Sequence, residues 1–177
     1  GDRSIGVDDL RNLPYLEMCL KESLRRLPAV WIYGREAQTD LNLAGYFFPK
    51  GSILAVSPLA TGRNAKYFDK PLEYRPERWT RDFERQLPKG AYVPFAAGPR
   101  VCFGKPFAMM EMRLILGTLI QNVDVNLLEG FEPDIVPQIS LNPGERGMQM
   151  KVHFRDGAPV LTGDHSRPQE ASSPHAA

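Results

Sequence analysis

The 177-residue sequence is short of the residues from which several kinds of site are built. It has two cysteines, Cys19 and Cys102, far apart along the chain. A disulfide framework needs more thiols at closer spacing, so the chain reads as one kept in a reducing compartment. There is no Cys-x-x-Cys pair, and His153, His165 and His175 all fall near the C-terminus. That leaves little from which to build a zinc site. An excess of one charge is missing too: 22 Lys and Arg stand against 21 Asp and Glu, a net +1. Such a balance gives no electrostatic footprint for nucleic acid and no polybasic arm for a membrane. The longest apolar runs, such as Leu114–Ile115–Leu116, cannot span a bilayer, and no signal-peptide pattern opens the chain. The sequence starts at Gly1 and enters a helix pattern soon after, as expected of a fragment.

What is present has clear texture. Leu16, Leu20, Leu24 and Leu27 recur at four and three residues, which predicts a helix bounded by Pro14 and Pro28. Cys19 lies near that stripe as a small buried hydrophobe. From Ala29 to Leu59 the pattern is of strands: Val30–Tyr33, Leu41 with Leu43, and Ile53–Val56 after the turn at Pro49-Lys50-Gly51. A meander rich in Pro, Arg and aromatics runs from about Thr61 to Pro94, and long irregular stretches of this kind are often functional. Gly104 to Asn122 reads as a second helix, apolar around most of its circumference and so expected to be buried against something large. Ile139–Leu141 and Met148–Phe154 suggest a hairpin around Asn142–Gly147. From Gly157 onward little can be buried, and a disordered tail is expected over 157–177.

One segment carries chemistry: Phe95-Ala96-Ala97-Gly98-Pro99-Arg100-Val101-Cys102-Phe103-Gly104. Two glycines and a proline bend the chain around a single cysteine at the entrance of an apolar helix. Backbone N–H groups and the helix dipole would stabilise an anionic sulfur there. Arg100 offers a fixed cationic fork for a carboxylate.

This segment resembles the signature loop of the cytochrome P-450 family, F-x-x-G-x-R-x-C-x-G, with all five fixed positions present; Ala96 stands where many members have Gly. Two more motifs agree. Glu22-Ser23-Leu24-Arg25 is E-x-x-R on a helix, and Tyr74-Arg75-Pro76-Glu77-Arg78-Trp79 is similar to the family's P-E-R-[FW] segment. The resemblance runs from about Leu13 to Asp156. It departs at Gly62-Arg63-Asn64-Ala65, where the family often has His-Arg-Asn/Asp-Pro.

The resemblance implies a mainly α fold with small β-sheets (α+β), with residues 1–156 forming the C-terminal portion of a cytochrome P-450 domain. It implies haem b as cofactor, with Cys102 as the axial thiolate of the iron. Phe95, Arg100, Gly104 and Arg35 would lie around the cofactor, Arg35 against a propionate. Glu22, Arg25 and Arg78 would form a buried structural network, and Val30 and Trp31 would border an apolar small-molecule substrate, as would the Asn142–Met148 tip. Electrons would come from a reductase or ferredoxin docking near Lys89, Arg100 and Lys105. The family's oxygen-activating helix is not in this sequence, so no catalytic residue is assigned and the chain alone is expected to be inactive. The placement implied is cytosolic, or anchored to a membrane that faces the cytosol. Two readings stay open beside monooxygenation: a haem-thiolate isomerase or dehydratase needing no electron donor, and a non-catalytic truncated module.

Overall fold

The computed structural model describes residues 3–155. The expected tail from 157 to 177 lies outside the described residues. A 3-10 turn, Val7–Asn12, leads into helix α1, Pro14–Arg26. Pro14 occupies the first turn, where its missing N–H costs nothing. Glu17 near the start and Arg25 and Arg26 near the end match the helix dipole. Leu20 is buried, whereas Leu27 caps the helix and is exposed. The helix buries polar groups as well, Glu22 and Arg25.

Strand β1, Tyr33–Glu36, pairs antiparallel with β4, Ile53–Val56. Val30, Trp31 and Ile32, expected in a strand, precede it as irregular chain. The Trp31 carbonyl is taken instead by Ser57 Oγ at 2.8 Å and by Leu59 N–H at 3.4 Å. Between β1 and β4, β2 (Leu41–Leu43) and β3 (Tyr46–Phe48) form a hairpin. Its two turn residues, Ala44 and Gly45, have φ of 52° and 86°, the left-handed pair that suits a two-residue hairpin loop.

The expected meander is more ordered than its composition suggests. Helix α2, Pro58–Gly62, is capped by Ser57, and α3, Arg81–Gln86, is capped by Thr80. A 3-10 turn covers Pro76–Arg78. Phe68, Trp79, Phe83 and Tyr92 pack ring against ring, and Phe68 and Trp79 are buried to 0% and 3% exposure. Leu20, Ala91 and Val93 are buried as well, as are Leu10, Ala37 and Val123.

Helix α4, Lys105–Asn122, follows the cysteine loop. It meets α1 and the first 3-10 turn, with Gly117 set against Ile5 and Leu13. The expectation of all-round burial is not met among the described residues: Phe107, Ile115, Leu119 and Ile120 are exposed. One face of the helix has a partner here and its other apolar faces have none.

The expected terminal hairpin is corrected as well. Strand β8, Met150–Phe154, pairs with β5, Val123–Leu127, which continues directly from α4. Strand β7, Leu141–Asn142, pairs with β6, Val136–Pro137. Turn residues at 142–147 had suggested a local connection. The ladder instead takes the longer apolar strand back to the end of α4, where Val123 is buried.

Candidate functional site: a cysteine loop and a buried carboxylate network

The cysteine loop starts from a fixed base. Ala91 and Val93 are buried at 2% and 8% exposure. Ala96 N–H donates to Val93 O at 3.1 Å, and Cys102 N–H donates to Phe95 O at 2.9 Å. Ala96 and Gly98 have φ of 58° and 70°. The Gly98 position suits its residue, whereas Ala96 holds a conformation that favours glycine.

Cys102 is exposed, and its Sγ lies beside the helix entrance: a Cβ placed on Gly104, the N-cap of α4, would be 3.7 Å from it. Phe103 and Gly104 N–H, just before the first turn of α4, have no acceptor among the described residues. Val101, Phe103 and Phe107 are exposed around the thiol. Arg100 ends a 3-10 turn, Gly98–Arg100, and is exposed with no carboxylate partner among the described residues.

The other motifs meet at Glu22, fully buried on α1. Its Oε1 accepts from Arg25 Nη2 at 2.8 Å, Arg75 N–H at 2.8 Å and Arg78 Nε at 3.1 Å. Its Oε2 accepts from Arg25 Nε and Trp79 Nε1, both at 2.9 Å. Burial alone would raise the carboxyl's pKa; the Arg25 guanidinium, Arg75 N–H and Trp79 N–H outweigh it and hold it at about 2. Arg25 donates further to the carbonyls of Gly62, Pro71 and Glu73, and lies 5.1 Å over the Phe68 ring. Arg78 Nη1 donates to Asp69 O at 2.9 Å. The three residues that the motifs singled out are thus in one network. Trp79 and the Arg75 amide are members that sequence reasoning did not assign, although both lie in the segment it quoted.

Gly62 explains its own departure from the family pattern. Any Cβ there would collide with the Arg25 carbonyl oxygen, so the close approach of α2 to α1 requires glycine.

Arg35 lies on β1, exposed, with Nη1 on the Gly34 carbonyl at 2.8 Å and its guanidinium 5.1 Å over the Tyr33 ring. It too lacks a carboxylate partner among the described residues. Val30 is 44% exposed. Trp31 is half-buried and its Nε1 donates to Gln138 O at 2.8 Å. With Leu141 N–H on Ala29 O at 2.9 Å, this bond brings the 29–32 stretch against the β6–β7 region. Lys89 and Lys105 are exposed. Cys19 is half-buried, burial raises its pKa, and its carbonyl accepts from Ser23 Oγ and Tyr74 OH. No group of three or more metal-binding side chains occurs among the described residues, and no described helix is long and apolar enough to cross a membrane.

One exposed thiol at the entrance of α4 and a buried Glu–Arg network that ties α1 to the Pro76–Arg78 turn are the two features that the family's motifs bring into this fold. The sequence pattern of the family Cytochrome P-450 matches residues 1–150. The chain belongs to the cytochrome P-450 family. Cytochrome P-450 4V2 of Pongo abelii is 36% identical over 156 residues, 88% of this chain and 30% of that protein. Cytochrome P-450 4p1 of Drosophila melanogaster is 40% identical over 131 residues, covering 73% and 25%. The crystal structure of the cytochrome P-450DA heme domain superposes with a TM-score of 0.82 at 26% identity, covering 90% of this chain and 35% of that one. The chain therefore spans about a third or less of the length of these relatives.

Proposed function

We propose that these residues are the C-terminal, haem-binding portion of a haem-thiolate monooxygenase. Its reaction puts one oxygen atom from O₂ into an apolar organic substrate. The observation that carries the reading is the exposed Cys102 thiol at the entrance of α4, beside Gly104. The residues fit haem b. Val101, Phe103 and Phe107 offer exposed apolar contact for a flat macrocycle, and the thiol is a single soft donor for its iron. Arg100 and Arg35, neither bound to a carboxylate among the described residues, suit its propionates.

When bound, haem supplies the oxygen chemistry, and thiolate ligation favours O–O cleavage. The chain's own part is to hold the sulfur. Cys102 N–H on Phe95 O fixes the loop, and the Glu22 network ties the 62–79 chain to α1. Val30, Trp31 and the 142–148 tip are proposed to face the substrate. Electrons would come from a reductase or ferredoxin, with Lys89, Arg100 and Lys105 as docking cations.

The test is the absorbance spectrum of the reduced, carbon-monoxide-bound protein carrying the upstream family residues. A band shifted to long wavelength, lost in Cys102→Ala, is expected. Haem binding without that band would overturn the assignment.

A further inference from the structure

Glu22 has five donors, and one of them also packs on Tyr92, just ahead of the cysteine loop. Arg25, Arg75 and Arg78 lead from Glu22 into the 62–75 chain through Gly62, Asp69, Pro71 and Glu73. Trp79 leads elsewhere. Its indole N–H donates to Glu22 Oε2 at 2.9 Å, and its ring lies 4.5 Å from that of Tyr92. Tyr92 is itself tied to α1, donating its hydroxyl to Lys21 O at 3.2 Å. Burial raises its pKa, which keeps that donor protonated. Buried Ala91 and Val93 flank Tyr92, Val93 O accepts from Ala96 N–H, and Phe95 O accepts from Cys102 N–H. Consecutive residues of α1 therefore grip two aromatics whose rings pack at a tilt of 54°, and the second of these begins the segment that holds Cys102.

We propose that Trp79 is a positioning residue for Cys102, using its N–H to fix the indole on Glu22 and its ring to fix Tyr92 and the base of the cysteine loop. That Cys102 is the functional ligand rests on the reading above; the mechanical coupling does not. The P-E-R-[FW] pattern allows Phe at this position, and Phe has the ring without the donor. A charge-assisted hydrogen bond to a buried carboxylate is among the stronger and more directional contacts available to a side chain. Its loss leaves Oε2 with Arg25 alone and frees the ring to rotate.

The direct readout is hydrogen exchange at the Cys102 amide, measured on the chain itself relative to an α1 amide in the same sample. Trp79→Phe is expected to speed that exchange about tenfold or more, as local opening of the loop becomes easier. Tyr92→Leu, which breaks the same path one step later, should act alike. Phe83→Leu removes another ring packed on Trp79, at 5.8 Å, and lies off the path, so it should leave Cys102 exchange unchanged. In the haem-loaded, upstream-extended protein, Trp79→Phe and Tyr92→Leu should lower the long-wavelength carbon-monoxide band several-fold while circular dichroism stays native. Unchanged Cys102 exchange in Trp79→Phe and Tyr92→Leu, or equal acceleration by Phe83→Leu, would overturn the proposal. A wild-type protein with no shifted band would sink the haem-thiolate reading alone, because the exchange measurement needs no haem.

Discussion

At the scale of single residues, Glu22 and Ala96 make opposite contributions. Glu22 is a buried charge satisfied from every side, and removing its charge leaves two arginines behind without their counter-ion. Glu22→Gln is expected to cost about 3–5 kcal/mol and to abolish haem incorporation, as read by thermal melting and haem content. The carboxyl also makes stability depend on acid. Its folded pKa is about 2 against an ordinary 4.5, so its contribution is complete above about 4.5 and is lost as pH falls toward 2. An acid titration by circular dichroism should show that loss, on the order of 3 kcal/mol, and Glu22→Gln should remove it. Ala96 is the reverse case, a side chain in a left-handed conformation. Ala96→Gly is expected to stabilise the chain by about 1 kcal/mol and raise the melting temperature by roughly 2–4 °C.

At the scale of elements, helix α4 joins the cysteine loop to the rest of the chain through a narrow contact. Gly117 lets the 5–13 segment approach: a Cβ there would come within 2.9 Å of Ile5 Cδ1 and 3.8 Å of Leu13 Cδ1. Gly117→Leu should therefore cost about 1–3 kcal/mol by overpacking, measured by chemical denaturation. Gly117→Ala should be far milder, since Ile5 can shift and alanine is the better helix former. The helices were legible in the sequence because their apolar spacing and flanking prolines are local signals. The pairing of the last strands was not. Met150–Phe154 has the composition of a strand, yet nothing in it states that its partner is Val123–Leu127 and not the nearer Leu141. Likewise E-x-x-R by itself looks like a surface pair. Only the second motif, P-E-R-W, implied burial, and Trp79's donor role came from the distance to Glu22. The exposed side of α4 could not be foreseen from composition, which shows that a helix is apolar but not what covers it.

At the scale of the molecule, the described residues hold a small aromatic and ionic core and a large amount of uncovered apolar surface. Phe103, Phe107, Ile139 and Phe154 are each more than half exposed. Large apolar side chains exposed in such number mark contact sites or drive association. The isolated chain is expected to bind an apolar fluorescent dye and to self-associate with rising concentration in sedimentation experiments. Upstream family residues joined to it should suppress both. Arg25 sets a different rule for how the chain tolerates change. Its guanidinium holds three main-chain carbonyls, of Gly62, Pro71 and Glu73, and not one side chain between them. Main-chain oxygens are the same for every amino acid, so apart from buried Phe68, whose ring packs under Arg25, the residues between 63 and 73 can change in kind while their number cannot. In a comprehensive library, deleting or inserting a single codon across that interval should be purged far more severely than most replacements there, leaving a window that is fixed in length and, Phe68 aside, free in letters.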